Sequence, residues 1–352
     1  MNIAVVGATG LVGREIIKIL NQKDLLNNNN LYLFASKKSA NKKIKINNKQ
    51  YKIMELNEEN FNKFKYKINY ALFSAGSEVS KNWACRFAEC GIYVIDNSSA
   101  FRRDKTVPLI VPEINGNLLK RKNEKIIKNQ AEDLKKLKKS DKNIQFGKII
   151  ANPNCSTIGL SLPLFCLQKT CEIKKIIVST YQAVSGAGQK GIQDLKNSTT
   201  KKFTNVIANN LIPQIDYALD NGYTYEEDKM NFELKKILND KRLKISTTCV
   251  RVPVLNCHSE SVYVEFFNAV NVNKIVSNLK KFKGIKVVND LSNGKYPMPI
   301  LCDGKDDVYI GRIRQDTTSK KAISFFISFD NIRKGASLNA VQILECLMKN
   351  EN

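Results

Sequence analysis

Residues 2–13 read NIAVVGATGLVG, a short apolar run that ends in a glycine-rich turn and passes into the helical pattern REIIKILNQ at 14–22. Ile16, Ile17, Ile19 and Leu20 can share one helix face, so the segment reads as strand, tight turn and helix. Gly7, Gly10 and Gly13 fall three apart where strand becomes helix. Glycine permits such a turn and lets backbone N–H groups approach a pyrophosphate, whose charge a helix N-terminus stabilises. Working outward, LYLFAS at 31–36, NYALFSAG at 69–76 and IYVIDNSS at 92–99 supply three more apolar strands, with helical material at 81–90 between the last two. Strands alternating with helices predict a parallel, doubly wound sheet of Rossmann type in an α/β domain.

A dinucleotide site that holds NAD usually offers an acidic residue at the end of the second strand for the ribose hydroxyls. Here that strand ends in Ala35, Ser36, Lys37, Lys38 and Ser39, two hydroxyls and two cations suited to the 2′-phosphate of NADP. The expected cofactor is therefore NADP(H) in preference to NAD.

After IIANPNC at 149–155 the pattern changes. KKIIVSTYQAVS, LKISTTCVRVPV, ESVYVEFFNAV and AISFFISFD are β-rich, which predicts a second, α+β domain. The closing segment carries Ala340, Val341, Ile343, Leu344 and Leu347 on a broad apolar helix face, and that face needs a docking site. The expected division is a nucleotide-binding domain at 1–154, an α+β domain at 155–330, and a helix at 331–352 returning to the first. A lysine-rich stretch at 116–148, poor in aromatics, reads as an exposed, partly helical insertion, either a solvated face or a partner surface.

The 352 residues suffice for two packed cores, and no stretch approaches the roughly 18 apolar residues of a membrane helix. With no signal segment at the N-terminus, cytoplasmic residence is the expectation. The formal charge of +24 favours anionic substrates. Nucleic acid is not expected as a partner, because the lysines are scattered and no aromatic-interleaved basic stripe is present. Nine cysteines show no metal spacing, so no metal is expected; they read as free thiols, most of them buried.

One cysteine is placed differently. Pro153 and Asn154 suit a turn and a helix can start after them, which sets Cys155 at a helix N-terminus where macrodipole and N–H groups favour a thiolate. A reactive thiol needs a proton partner, and the chain has a single histidine, His258, in a polar cluster between two β-like runs. Its imidazole can take the thiol proton and later return one to a carbonyl oxygen.

Several motifs in one order carry a resemblance: the 7–13 turn, NPNCSTI at 152–158, STYQAVSGAG at 179–188 and RVPVLNCHSE at 251–260. NSSAFR at 97–102, LIPQID at 211–216, YTYEEDKM at 223–230, GRIRQD at 311–316 and DNIRKG at 330–335 extend it over nearly the whole chain outside the insertion. Together they resemble bacterial-type aspartate-semialdehyde dehydrogenases. The resemblance implies Cys155 as acyl-accepting nucleophile, His258 as acid and base, and Gln182 as a polar orienter beside a thioester. It implies Arg102 and Lys229 on the substrate phosphate, Arg251 on the α-carboxylate and Glu226 on the α-amino group, so each charge of aspartyl phosphate meets its opposite. For the cofactor it points to Gly7, Thr9, Gly10, Leu11, Val12, Gly13, Ser36, Lys38, Ser39, Ser74, Ala75, Gly76, Ser185, Gly186 and Asn331.

The implied reaction is reduction of aspartyl-4-phosphate to aspartate-4-semialdehyde, serving lysine, methionine, threonine and diaminopimelate synthesis, in a homodimer or dimer of dimers. Two positions depart from the family pattern: Lys38 stands where arginine is common, and Asn41 where glycine is usual. One rival is a reductase of another acyl phosphate such as N-acetylglutamyl phosphate, against which Glu226 argues because an acetylated amine carries no charge. The other is a catalytically silent binding protein, against which Cys155, Gln182 and His258 argue together.

Overall fold

The apolar run at 2–6 forms β1 (Asn2–Val6), with Ile3, Ala4, Val5 and Val6 fully buried, and the helix that follows buries Ile16, Ile17, Ile19 and Leu20. Each buried valine, leucine or isoleucine among them contributes about 1.5–3 kcal/mol relative to exposure, so this strand and helix anchor the local fold. The computed structural model describes residues 1–27, 29–119 and 148–351; the body of the lysine-rich insertion, 120–147, lies outside the described residues. Two compact units divide the chain, one of Met1–Pro153 with Ser337–Asn352, the other of Asn154–Ala336.

The first unit contains β1, β2 (Asn30–Ala35), β3 (Lys43–Ile46), β4 (Lys49–Glu55), β5 (Tyr70–Phe73), β6 (Tyr93–Asp96) and β7 (Ile149–Ala151), in the order β3-β4-β2-β1-β5-β6-β7. Its helices are α1 (Leu11–Gln22), α2 (Glu58–Phe64), α3 (Ser77–Glu89) and α4 (Pro112–Asn115). Strands β4, β2, β1, β5, β6 and β7 run parallel, and all of β5 is buried, as expected of strands covered on both faces. The edge departs from an all-parallel sheet: β3 pairs antiparallel with β4 through a turn at Asn47, whose φ is +51°. KIKI at 43–46 alternates exposed and half-buried residues, an edge-strand pattern in which the exposed lysines disfavour further pairing.

The second unit contains β8 (Ile173–Gln182), β9 (Lys244–Arg251), β10 (His258–Phe266), β11 (Ile285–Val287), β12 (Val308–Gln315) and β13 (Ala322–Phe329), in the order β11-β12-β13-β10-β8-β9. Its helices are α5 (Cys155–Gln168), α6 (Gly188–Asn197), α7 (Tyr225–Ile237), α8 (Val272–Lys281) and α9 (Pro299–Cys302). Burial alternates along the C-terminal half of β8: Val178, Thr180 and Gln182 point inward while Ile177 and Tyr181 stay exposed. The last helix, α10 (Leu338–Glu351), belongs to the first unit, where Ala340, Val341, Ile343, Leu344 and Leu347 join the core cluster around β1 and α1. Among the described residues no helix is long and apolar enough to cross a membrane.

Candidate active site

Helix α5 starts at Cys155 because Asn154 caps it, its Oδ1 accepting from the N–H groups of Ser156 at 3.0 Å and Thr157 at 3.5 Å. Asn154 is itself held by α7. Its N–H donates to Glu233 at 2.6 Å, and its Nδ2 donates to both oxygens of Glu226 at 3.1 and 3.2 Å. The thiol is thus placed by a cap whose orientation another helix fixes.

Cys155 Sγ lies 3.2 Å from His258 Nε2, at the start of β10. On the other edge of the ring, the Ala183 N–H donates to Nδ1 at 3.0 Å. A neutral imidazole carries one proton, so an acceptor at Nδ1 puts the N–H at Nε2, facing the sulfur. In this arrangement the ring faces the sulfur as a donor. Burial, then the charge of Arg251, hold the His258 pKa far below its ordinary 6.5, at about 3, against an opposing pull from Glu226.

The candidate substrate-binding charges of the second unit gather around Glu226. Lys229 Nζ pairs with Glu226 at 2.7 Å and with Asp216 at 2.9 Å. Gln182 Nε2 donates to Glu226 at 3.2 Å and to Thr180 Oγ1 at 3.3 Å. Burial works to raise the Glu226 pKa, but Lys229 first, then Arg251 and the Gln182 hydrogen bond, bring it down to about 2. For Lys229, burial works downward, and Glu226 and Asp216 keep it above the usual lysine range. Arg251 is 5% exposed; its Nη1 donates to the Ala183 carbonyl at 2.7 Å. One residue, Ala183, therefore holds the imidazole through its N–H and the guanidinium through its C=O.

Ser185, Gly186 and Asn331 adjoin this cluster. Asn331 is 1% exposed; its Nδ2 donates to Ser185 Oγ at 3.0 Å and its Oδ1 accepts from the Cys257 N–H at 2.9 Å. A Cβ on Gly186 would meet His258 Cε1 at 3.1 Å and Arg251 Nη1 at 3.2 Å, so only glycine leaves both side chains where they are. Gly186→Ala should lower kcat by about 10- to 100-fold, the scale set by small misplacements of reacting groups, with the melting temperature nearly unchanged. Steady-state kinetics beside a thermal melt checks it.

In the first unit, Arg102 is buried and anchored by backbone carbonyls, Nε donating to Asn152 O at 2.9 Å and Nη2 to Asn97 O at 2.7 Å. The glycine turn has the close approaches its spacing suggests. Gly7 has φ +88°, and a Cβ on Gly13 would lie 2.2 Å from Gly7 O. Gly10 precedes α1 with no side chain capping it, so the first-turn N–H groups keep the character of an anion cradle. Thr9 Oγ1 reaches Ser39 Oγ at 3.4 Å, joining the turn to the end of β2, and Ser74 Oγ donates to Val6 O at 3.1 Å. Ser36, Lys37 and Lys38 are exposed around a short 3-10 turn, and Ala75 is half-buried. Asn41 has φ +66°, the left-handed region in which asparagine is the usual substitute for glycine, which accounts for that departure. Residues 11 and 12 open α1.

Sequence reasoning took Asn154 as a turn residue without its capping role, and passed over Glu233 and the backbone of Ala183. An asparagine directly before a helix is a capping signal and was legible; a main-chain amide has no side-chain signature. The cysteines are all free, but only Cys166, Cys249, Cys257 and Cys302 are buried, fewer than expected; Cys90, Cys155 and Cys171 lie at or beside helix ends, and Cys346 is partly buried against the first unit's core.

Comparison with known proteins shows the family. Residues 2–122 match the family model described as semialdehyde dehydrogenase, NAD binding domain, and 164–334 match semialdehyde dehydrogenase, dimerisation domain. The chain is 44% identical to the aspartate-semialdehyde dehydrogenase of Aquifex aeolicus, with 99% of this chain and 98% of that one covered. It is 39% identical to that of Bacillus subtilis over the same shares of each. Among solved structures it is similar to Vibrio cholerae aspartate semialdehyde dehydrogenase II complexed with ASA, at TM-score 0.88 and 37% identity, covering 100% of this chain and 99% of the other. It is also similar to the Candida albicans enzyme with NADP, at TM-score 0.74 and 25% identity over 99% of each. On both the matched domains and these full-length identities, the chain belongs to the aspartate-semialdehyde dehydrogenase family.

Proposed function

We propose that this chain reduces L-aspartyl-4-phosphate to L-aspartate-4-semialdehyde through a thioester on Cys155. The observation that carries the reading is the sulfur 3.2 Å from His258 Nε2, beside a Glu226, Lys229 and Arg251 charge cluster that suits a zwitterionic substrate. Cys155, at a helix start that favours the thiolate, gives its proton to water; the thiolate attacks the acyl carbonyl, and the C–O bond to phosphate breaks as phosphate leaves. NADPH, which the glycine turn with Ser36, Lys38 and Ser39 would hold, would supply the hydride that reduces the thioester carbon. The tetrahedral adduct then collapses, C–S breaks, and the aldehyde departs.

His258 serves both ends of this sequence in one way. Its Nε2–H supports negative charge on sulfur when the thiolate attacks and again when it is expelled. Glu226 receives the substrate ammonium, Arg251 its carboxylate and Lys229 the phosphate, while Gln182 orients the thioester. The N–H groups of residues 156 and 157 are committed to the Asn154 cap, so oxyanion stabilisation falls to other donors. The free amine requirement of Glu226 favours this substrate over an N-acetylated one.

The glycine turn, with Ser36, Lys38 and Ser39, is fitted to NADP. We expect NADP to bind at least about tenfold more tightly than NAD, a difference that shrinks at high salt because Lys38 is exposed. Side-by-side titrations at two ionic strengths check this. A homodimer is the proposed assembly, formed on the open face of the second sheet, where exposed Ile177 and Tyr181 lie, Tyr181 contacting Phe326. A cytoplasmic, reducing setting would keep Cys155 a thiol. The test of the whole reading supplies aspartate-4-semialdehyde, phosphate and NADP and follows NADPH absorbance. No phosphate-dependent signal from well-folded protein would exclude it.

A further inference from the structure

The inner face of the second sheet carries its polar groups in rows. Across β9 and β8, Arg251 pairs with Gln182 and Cys249 with Thr180. Across β8 and β10, Thr180 pairs with Glu260, and His258 lies one residue beyond the last pair, Ser259 with Tyr181. One row is thus Arg251, Gln182 and His258, and the row behind it is Cys249, Thr180 and Glu260. Every member of the second row is 0% exposed.

Glu260 is unlike its neighbours. Both of its carboxyl oxygens are buried without a hydrogen-bond partner. Among the described residues only two other buried side-chain oxygens share that condition, Ser156 Oγ and Thr157 Oγ1, which directly follow Cys155. The orphaned polar atoms therefore belong to residues within two positions of Cys155 or His258. A bare carboxylate in such a place is costly, whereas a carboxylic acid is far less so and brings a donor. Burial, with the charge of Glu226 added, holds the Glu260 pKa well above the usual carboxylate range.

We propose that Glu260 is a positioning residue for the reaction, present as the neutral acid, which backs Thr180 from the adjacent strand and so holds Gln182 against Glu226. Gln182 spends its amide on Thr180 Oγ1 and Glu226, so any shift of Thr180 is passed to the group facing the thioester. Neutrality matters as much as shape. An ionised Glu260 would set a second negative charge near Glu226 and compete with it for Lys229 and Arg251. The inference rests on the reaction proposed above.

Two independent measurements test it. An infrared difference spectrum between wild type and Glu260→Gln at neutral pH should show the carbonyl stretch of a protonated carboxylic acid in the wild type only. In steady-state kinetics, Glu260→Leu should lose at least about tenfold in kcat with the KM for NADP nearly unchanged, and Glu260→Gln should restore most of it, because a carboxamide keeps the neutral polar shape. The proposal is overturned if the wild type lacks the band, if Glu260→Leu turns over normally, or if Glu260→Gln is as impaired as Glu260→Leu. Should Glu260→Leu not fold, the band and the activity of Glu260→Gln still decide it. An inactive wild type would overturn the reaction and this role with it, while the band would still report the charge state of Glu260.

Discussion

Cys155→Ala should abolish phosphate-dependent turnover, to below about one part in 10⁴ of wild type, while the dissociation constant for NADP changes by less than about twofold. The magnitude follows from covalent chemistry. Without sulfur there is no thioester, and hydride would have to reach an acyl phosphate for which nothing is arranged. The fold should survive, because Cys155 sits at a capped helix start whose anchoring comes from Asn154, Glu226 and Glu233. Cofactor binding should survive too, because the glycine turn belongs to a unit with its own core. NADPH appearance and calorimetric NADP titration on one preparation measure both. Turnover above background with Cys155→Ala would exclude the thioester route; loss of NADP binding would mean that the residue is structural.

How much of this was legible beforehand depends on the kind of signal. The strand, turn and helix at 2–22 were legible because glycines at fixed spacing and a helical apolar face are local properties, and Gly7 and Gly13 make the close contacts that exclude other residues. The hairpin at 43–55 was not. Its alternation is diluted by lysines on an edge strand, and the turn signal is a pair of asparagines among many. At the site, Cys155 and the lone histidine were legible as residue types, and their meeting at 3.2 Å is a product of the fold. The direction of the proton between them was not legible at all. It is set by the main-chain N–H of Ala183, at the end of β8, and no side chain in the sequence announces it. The same limit hid Glu260, which reads as one more charged residue until its row in the sheet is known.

That proton direction leads to the second large effect. His258→Ala should lower kcat by about 10²- to 10⁴-fold, the usual range for a positioned proton donor, and the loss should be greater than for any single charge in the Glu226 cluster that is exposed to solvent. The wild-type rate should also show no inflection near pH 6.5 from this ring, since its pKa lies at about 3. Stability carries the same signature with a definite sign. In the unfolded chain the imidazole titrates near 6.5, and in the folded chain near 3, so between these values the unfolded state binds more protons. Folding stability is therefore fully present above about pH 6.5 and falls as pH is lowered through that window. At pH 5 the loss from this ring is on the order of 2 kcal/mol, taking about 1.4 kcal/mol per pH unit. Denaturant midpoints measured at pH 7 and pH 5 should differ less for His258→Ala, which lacks the group, than for wild type. An equal drop in both would show that the ring is not held neutral by burial and Arg251, and would return to His258 the role of a base toward the thiol.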